Sequence, residues 1–111
     1  MAGSTGTAGS AANLVNQPAY IALDASNALY ISDSANNQVR KWLPNASAGT
    51  IVAGSLSGIC SGGLSNLCGP IGIALDSTAG IYVADTNNHR VVFWASSSSS
   101  GILVAGTGEN L

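Results

Sequence analysis

Two stretches of this chain repeat one another almost residue for residue, and that duplication limits the fold to a stack of like units. Residues 18–54 read PAYIALDASNALYISDSANNQVRKWLPNASAGTIVAG, and residues 70–106, 52 positions later, read PIGIALDSTAGIYVADTNNHRVVFWASSSSSGILVAG. The copies agree at Pro18/Pro70, at Ile21-Ala22-Leu23-Asp24 against Ile73-Ala74-Leu75-Asp76, and at Tyr30/Tyr82, Asp33/Asp85, Asn36/Asn88, Val39/Val91 and Trp42/Trp94. They agree again at Gly49/Gly101 and at Val52-Ala53-Gly54 against Val104-Ala105-Gly106. A repeat of this length is one supersecondary unit, which cannot bury its own faces and needs neighbours of the same kind.

Each copy divides into four short runs rich in Val, Ile, Tyr and Trp and bounded by Gly, Pro, Asn or Asp, the mark of β-strands. The spacing predicts strands at 21–23, 29–32, 39–42 and 50–53, and again at 73–75, 80–84, 90–94 and 102–105. Connections of a few residues between them make each copy an antiparallel meander. No window carries a helical period. Near-continuous apolar strands such as Ile81-Tyr82-Val83-Ala84 imply sheets covered on both faces. A four-stranded sheet, repeated and sandwiched between like sheets, is a β-propeller blade. Residues 1–111 then form one two-blade unit, with blades at 18–54 and 70–106 and connectors at 2–17 and 55–69.

The composition narrows function by exclusion. Hydrophobic residues are 46% of the chain, ample for a core, while charged residues are only 7%. Three basic residues and a net charge of −2 leave no cationic stripe for phosphates, so nucleic acid is not an expected partner. No apolar run approaches the length of a membrane span, and a membrane partner is not expected. The opening AGSTGTAGSAANL has neither the basic start nor the apolar centre of a signal peptide, and Met1 followed directly by repeat-like sequence reads as an excised segment.

The two cysteines share one Gly/Ser-rich loop, ICSGGLSNLC, at a spacing unlike zinc or redox sites. Cys60 and Cys68 are expected to close that loop as a disulfide in an oxidising compartment, the alternative being two free thiols. The sequon Asn45-Ala46-Ser47 is a glycosylation acceptor and, with the scarcity of Lys, fits a secreted parent.

The run from Pro70 to Val91, P-x-G-I-A-L-D-x-x-x-G-I-Y-V-A-D-T-N-N-H-R-V, closely resembles the NHL-repeat consensus. The first copy follows it with Tyr20 in place of Gly72, Ala28 in place of Gly80 and Gln38 in place of Arg90. The resemblance implies a β-propeller, most often of six blades. It does not imply one activity, because similar proteins include adhesion modules, scaffolds, sensors, RNA-binding modules and an amidating lyase.

The recurring carboxylates Asp24, Asp76, Asp33 and Asp85 are the obvious candidates for chemistry, since carboxylates near a propeller axis can hold a metal. Each, however, precedes or opens a turn whose backbone N–H groups a carboxylate can accept. Repetition also favours structure: a catalytic group is needed once, a turn in every blade. They are expected to be structural turn residues. His89 has Asn37 as its counterpart and no second His beside it, so no metal or cofactor site is expected there. Arg90 is expected to pair with an Asp, and Gln38 to retain part of that capacity. Gly58-Ile59-Cys60-Ser61-Gly62 has the look of a nucleophile elbow but lacks its strand and helix. Ser96–Ser100 reads as a solvated loop, and Trp42/Trp94 and Tyr30/Tyr82 as core.

Two blades cannot close a ring, and an open pair leaves an apolar sheet face at each end. Those end faces differ, so their contact is head-to-tail and closes when the rotation fits. The expectation is a non-enzymatic scaffold or binding module that forms a homotrimeric six-bladed ring. Tyr30, Ile31, Val39 and Trp42 would meet Val83, Val91 and Trp94 of the next chain. The segment also reads as cut at one repeat phase, opening on Ala2-Gly3 and closing with Thr107–Leu111. The rival is a fragment of a propeller lyase or hydrolase with a central metal.

Overall fold

The structure, a computed structural model, describes residues 7, 9, 11 and 13–106; the repeat-phase ends at Ala2-Gly3 and Thr107–Leu111 lie outside the described residues. The first copy forms β1 (Pro18–Leu23), β2 (Leu29–Asp33), β3 (Gln38–Trp42) and β4 (Thr50–Ala53). The second forms β5 (Ile73–Leu75), β6 (Ile81–Asp85), β7 (Arg90–Trp94) and β8 (Ile102–Ala105). Each copy is a four-stranded antiparallel sheet in simple sequence order.

Five boundaries differ from the sequence expectation, among them β3, which begins at Gln38 instead of Val39, and β6, which begins at Ile81 instead of Gly80. The first strand begins at Pro18 instead of Ile21, because pairing of Pro18 with Asp33 continues the ladder across an irregularity before Tyr20. A Pro at the first residue of an edge strand gives up no ladder bond, which is where strands tolerate it. The second strands run on to Asp33 and Asp85, which pair in the ladder with Gln38 and Arg90. Between the paired strands lie single 3₁₀ turns, Ser34–Asn36 and Thr86–Asn88, each ending in a left-handed residue, Asn37 (φ 59°) and His89 (φ 56°). Asn and His are among the non-glycine residues that adopt this region most readily, so His89 and Asn37 share a backbone role.

The core is the contact between the sheets, and it is asymmetric. One face of the first sheet contributes Tyr30, Val39 and Ala53, with Ala22 and Val52 at its margin. The second sheet answers with its opposite face: Ile73, Ile81, Val83, Val92 and Trp94. The sheets are also stitched by hydrogen bonds, with Ser32 Oγ donating to the Ile71 carbonyl (2.6 Å), Ser34 Oγ to that of Pro70, and the Gly69 N–H to Asn37 Oδ1 (2.9 Å).

This arrangement corrects two expectations. Tyr30 is 1% exposed but its counterpart Tyr82 is 41% exposed, because equivalent faces of the two sheets have different neighbours. Tyr30, Val39, Val83 and Trp94, expected to meet across chains, are instead consumed in the chain's own core.

Candidate functional site

Alternation puts Asp85 with Val83 on the core face of the second sheet and Asp33 with Ile31 on the other face of the first, and both carboxylates are fully buried. Their backbone donors come from the preceding connector and not from the turn they open. Asp33 Oδ1 accepts from the Asn16 N–H and Asp85 Oδ1 from the Cys68 N–H, both at 2.7 Å. Neither carboxylate caps its 3₁₀ turn. The other oxygen, Oδ2, accepts from Asn36 Nδ2 in the first copy and Asn88 Nδ2 in the second, each at 2.9 Å. Those amides also donate to connector carbonyls, Asn36 to Gly9 and Asn88 to Ser61. Asp and Asn thus form a clamp that fastens each connector to its own sheet.

An arginine completes each clamp. Arg90 Nε donates to Asp85 Oδ2 at 2.8 Å, while its Nη atoms donate to the carbonyls of Gly62, Gly63 and Asn66. In the first copy the partner of Asp33 is Arg40, with Nε 3.4 Å from Oδ2 and Nη1 donating to the Ala11 carbonyl. Gln38, expected to retain part of the arginine's role, instead accepts from Arg40 through Oε1 and donates to the Ser55 carbonyl. Positions 38 and 40 lie on one face of β3, so the charge moves two residues and still reaches its carboxylate. Sequence alignment of the copies concealed this, because Arg40 stands opposite Val92.

Asp24 and Asp76 occupy the turns between first and second strands. Each accepts through Oδ1 from a hydroxyl and backbone N–H two residues on, Ser26 or Thr78, and from the N–H of Ala28 or Gly80. The Ser26 hydroxyl holds the Asp24 carboxyl below the usual carboxylate range, and the Thr78 hydroxyl does the same for Asp76. Gly80 is glycine because a Cβ there would lie 2.4 Å from the Phe93 ring; Ala28 fits its own turn, where Lys41 stands in the place of Phe93.

The remaining candidates are scattered. Cys60 and Cys68 are joined in a disulfide with Cα atoms 4.4 Å apart, and Gly58–Gly62 is irregular chain leading into it, with no strand before or helix after. Asn45 sits exposed in the turn between β3 and β4. His89 is exposed at the end of its 3₁₀ turn. Among the described residues no group of three or more His, Cys, Asp or Glu side chains could hold a metal ion.

What the structure leaves open is a face and a groove. The face of the second sheet turned away from the core carries Tyr82, Phe93, Ile102 and Val104, with Tyr82 and Phe93 in ring contact at 4.8 Å. The groove, of about 520 Å³, lies between the sheets above Tyr30, Ile81 and Trp94, and is rimmed by Lys41, Thr50 and Ser96–Ser99.

With this geometry in hand, comparison with known proteins gives one family. Residues 67–92 match the family model described as NHL repeat. The match runs from the connector through β5, β6 and most of β7, and takes in Asp85, Asn88 and Arg90 of the clamp. No curated protein matches the chain. The chain therefore carries an NHL repeat, in the second of two four-stranded sheets of the propeller-blade kind, and that repeat suggests a propeller-type protein-binding module.

Proposed function

We propose that this chain is a non-enzymatic propeller unit that assembles head-to-tail with copies of itself into a closed ring, serving as a scaffold or binding module. The observation that carries this reading is the open face of the second sheet. Its equivalent on the first sheet is buried against a neighbouring sheet in the same chain, so the molecule contains a template of the contact that the open face lacks. The open face is also the more apolar of the two: Phe93, Ile102 and Ala84 replace Lys41, Thr50 and Ser32. An exposed surface that has become less polar than its partly covered sister is a surface suited to being covered. At the other end of the pair, Ile21 and Leu23 are more than half exposed and offer the complementary edge.

The non-enzymatic part rests on the carboxylates. Asp33 and Asp85 are consumed in the clamps, and Asp24 and Asp76 in their turns. Six blades turn about 60° each, so two-blade chains close as three copies. Native mass spectrometry tests the assembly, with three copies of the 11.0 kDa chain expected. A folded monomer overturns self-assembly, while two or four copies mean a ring of another blade number. Tyr82→Glu places a charge on the open face without touching the intrachain core, and is expected to give folded monomers.

A further inference from the structure

We propose that the groove between the two sheets binds a small organic carboxylate bearing several hydroxyls, of the uronic-acid type, with Lys41 meeting the carboxylate. The groove lies wholly between two sheets of one chain, so the proposal goes beyond the assembly reading and stands whether or not copies associate.

The first observation is how the two copies diverge. At equivalent positions the rim of the groove carries Lys41, half-buried, and Thr50, exposed, whereas the open face carries Phe93 and Ile102. The groove rim thus presents an ammonium and a hydroxyl where the sister copy presents apolar side chains. The loop after β7 points the same way: Ala95-Ser96-Ser97-Ser98-Ser99 lines the groove with hydroxyls, and Ser96, Ser97 and Ser99 are exposed.

The second observation is the state of the lysine. Arg40 and Arg90 are each paired with a buried Asp. Lys41, the third basic residue of the chain, meets no carboxylate among the described residues, and its ammonium stands 5.4 Å from the centre of the Tyr30 ring. The ring holds the amine at the groove without neutralising it.

Ligand chemistry follows from these groups. A single ammonium is a compact point charge that meets one anionic oxygen, unlike the two-pronged guanidinium. In a chain of net charge −2 it balances a monoanion and leaves a dianion partly uncompensated. A serine and threonine rim supplies donors and acceptors for ligand hydroxyls. Val52, Ile81 and Trp94 give an apolar floor for the C–H face of a sugar ring. A volume of about 520 Å³ lies within the usual range for small-molecule sites.

The test is a titration followed by amide NMR shifts, with D-glucuronate as probe and D-glucose as its neutral counterpart. D-Glucuronate is expected to shift Lys41, Thr50 and Ser96–Ser99, and D-glucose to bind at least tenfold more weakly. The double substitution Lys41→Phe with Thr50→Ile imports the residues of the sister copy and is expected to weaken glucuronate binding at least tenfold while amide dispersion is retained. Lys41→Gln gives the same reading should the double variant misfold. Equal binding of the two sugars, glucuronate shifts that survive both variants, shifts confined to other surfaces, or no shifts at all would each overturn the proposal. Copy number from native mass spectrometry reports on assembly separately.

Discussion

Asp33 and Asp85 are buried carboxylates held by a backbone N–H, an amide and an arginine, whereas Asp24 and Asp76 are held by short-range turn donors. The two kinds respond differently to change. Removing one partner of a buried pair leaves an uncompensated charge, so Asp85→Ala and Arg90→Ala are each expected to cost about 3–5 kcal/mol. The double variant should cost less than the sum, with a coupling of about 1–3 kcal/mol in denaturant melts; additive losses would mean the two side chains act independently. Asp24 and Asp76 set an acid dependence. A carboxyl whose folded pKa is lowered contributes stability above its ordinary value of 3.8 and loses it as pH falls through the folded value. Asp24→Asn with Asp76→Asn is therefore expected to flatten stability against pH below about pH 4 and to leave the neutral-pH slope unchanged. Thermal melts between pH 2 and 7 check it.

At the scale of elements, strands and turns followed from local chemistry, but the connectors did not. The Gly/Ser-rich run 55–69 has no regular structure of its own and is shaped by what reaches it. Asn37 Nδ2 donates to the Gly58 carbonyl, Arg90 binds the carbonyls of Gly62, Gly63 and Asn66, and Cys60–Cys68 closes it covalently. These donors come from the turn and third strand of each copy, so no window of the connector sequence contains them. The disulfide closes a loop of about nine residues, worth about 2–3 kcal/mol by chain entropy. Reductant, or Cys60→Ser with Cys68→Ser, is expected to lower the melting temperature by an amount of that order while far-ultraviolet dichroism keeps its strand signature, because Arg90 still holds the loop. A loss of strand signal on reduction would show that the bridge organises the sheet itself.

For the whole molecule, the two sheets pack through opposite faces, and on the second sheet's other face Tyr82 and Ile102 stand exposed. If copies associate as proposed, folding and assembly are linked, and the melting temperature is expected to rise with protein concentration, as it does for any native state that binds its own copies. A melting temperature independent of concentration across a hundredfold range would separate the two processes. Tyr82→Glu should remove the concentration dependence while leaving a cooperative transition, since Tyr30, Val83 and Trp94 still fill the intrachain core.

The duplicated pattern was enough by itself to specify eight short strands, two antiparallel meanders and the turns between them, because strand alternation and turn chemistry act over a few residues. It also marked Asp33 and Asp85 as recurring structural residues and Arg90 as the partner of an Asp. Only the tertiary structure decided which face of each sheet is covered. Tyr30 and Tyr82 are the same residue in the same register, yet one is buried and the other exposed, since burial depends on the neighbouring sheet and not on the strand. The same reason hid the pairing of Arg40 with Asp33, which needs the two-residue geometry of β3. It also hid the contrast between Lys41 and Phe93, which acquires meaning only when one face is seen to line a groove and the other to stand open.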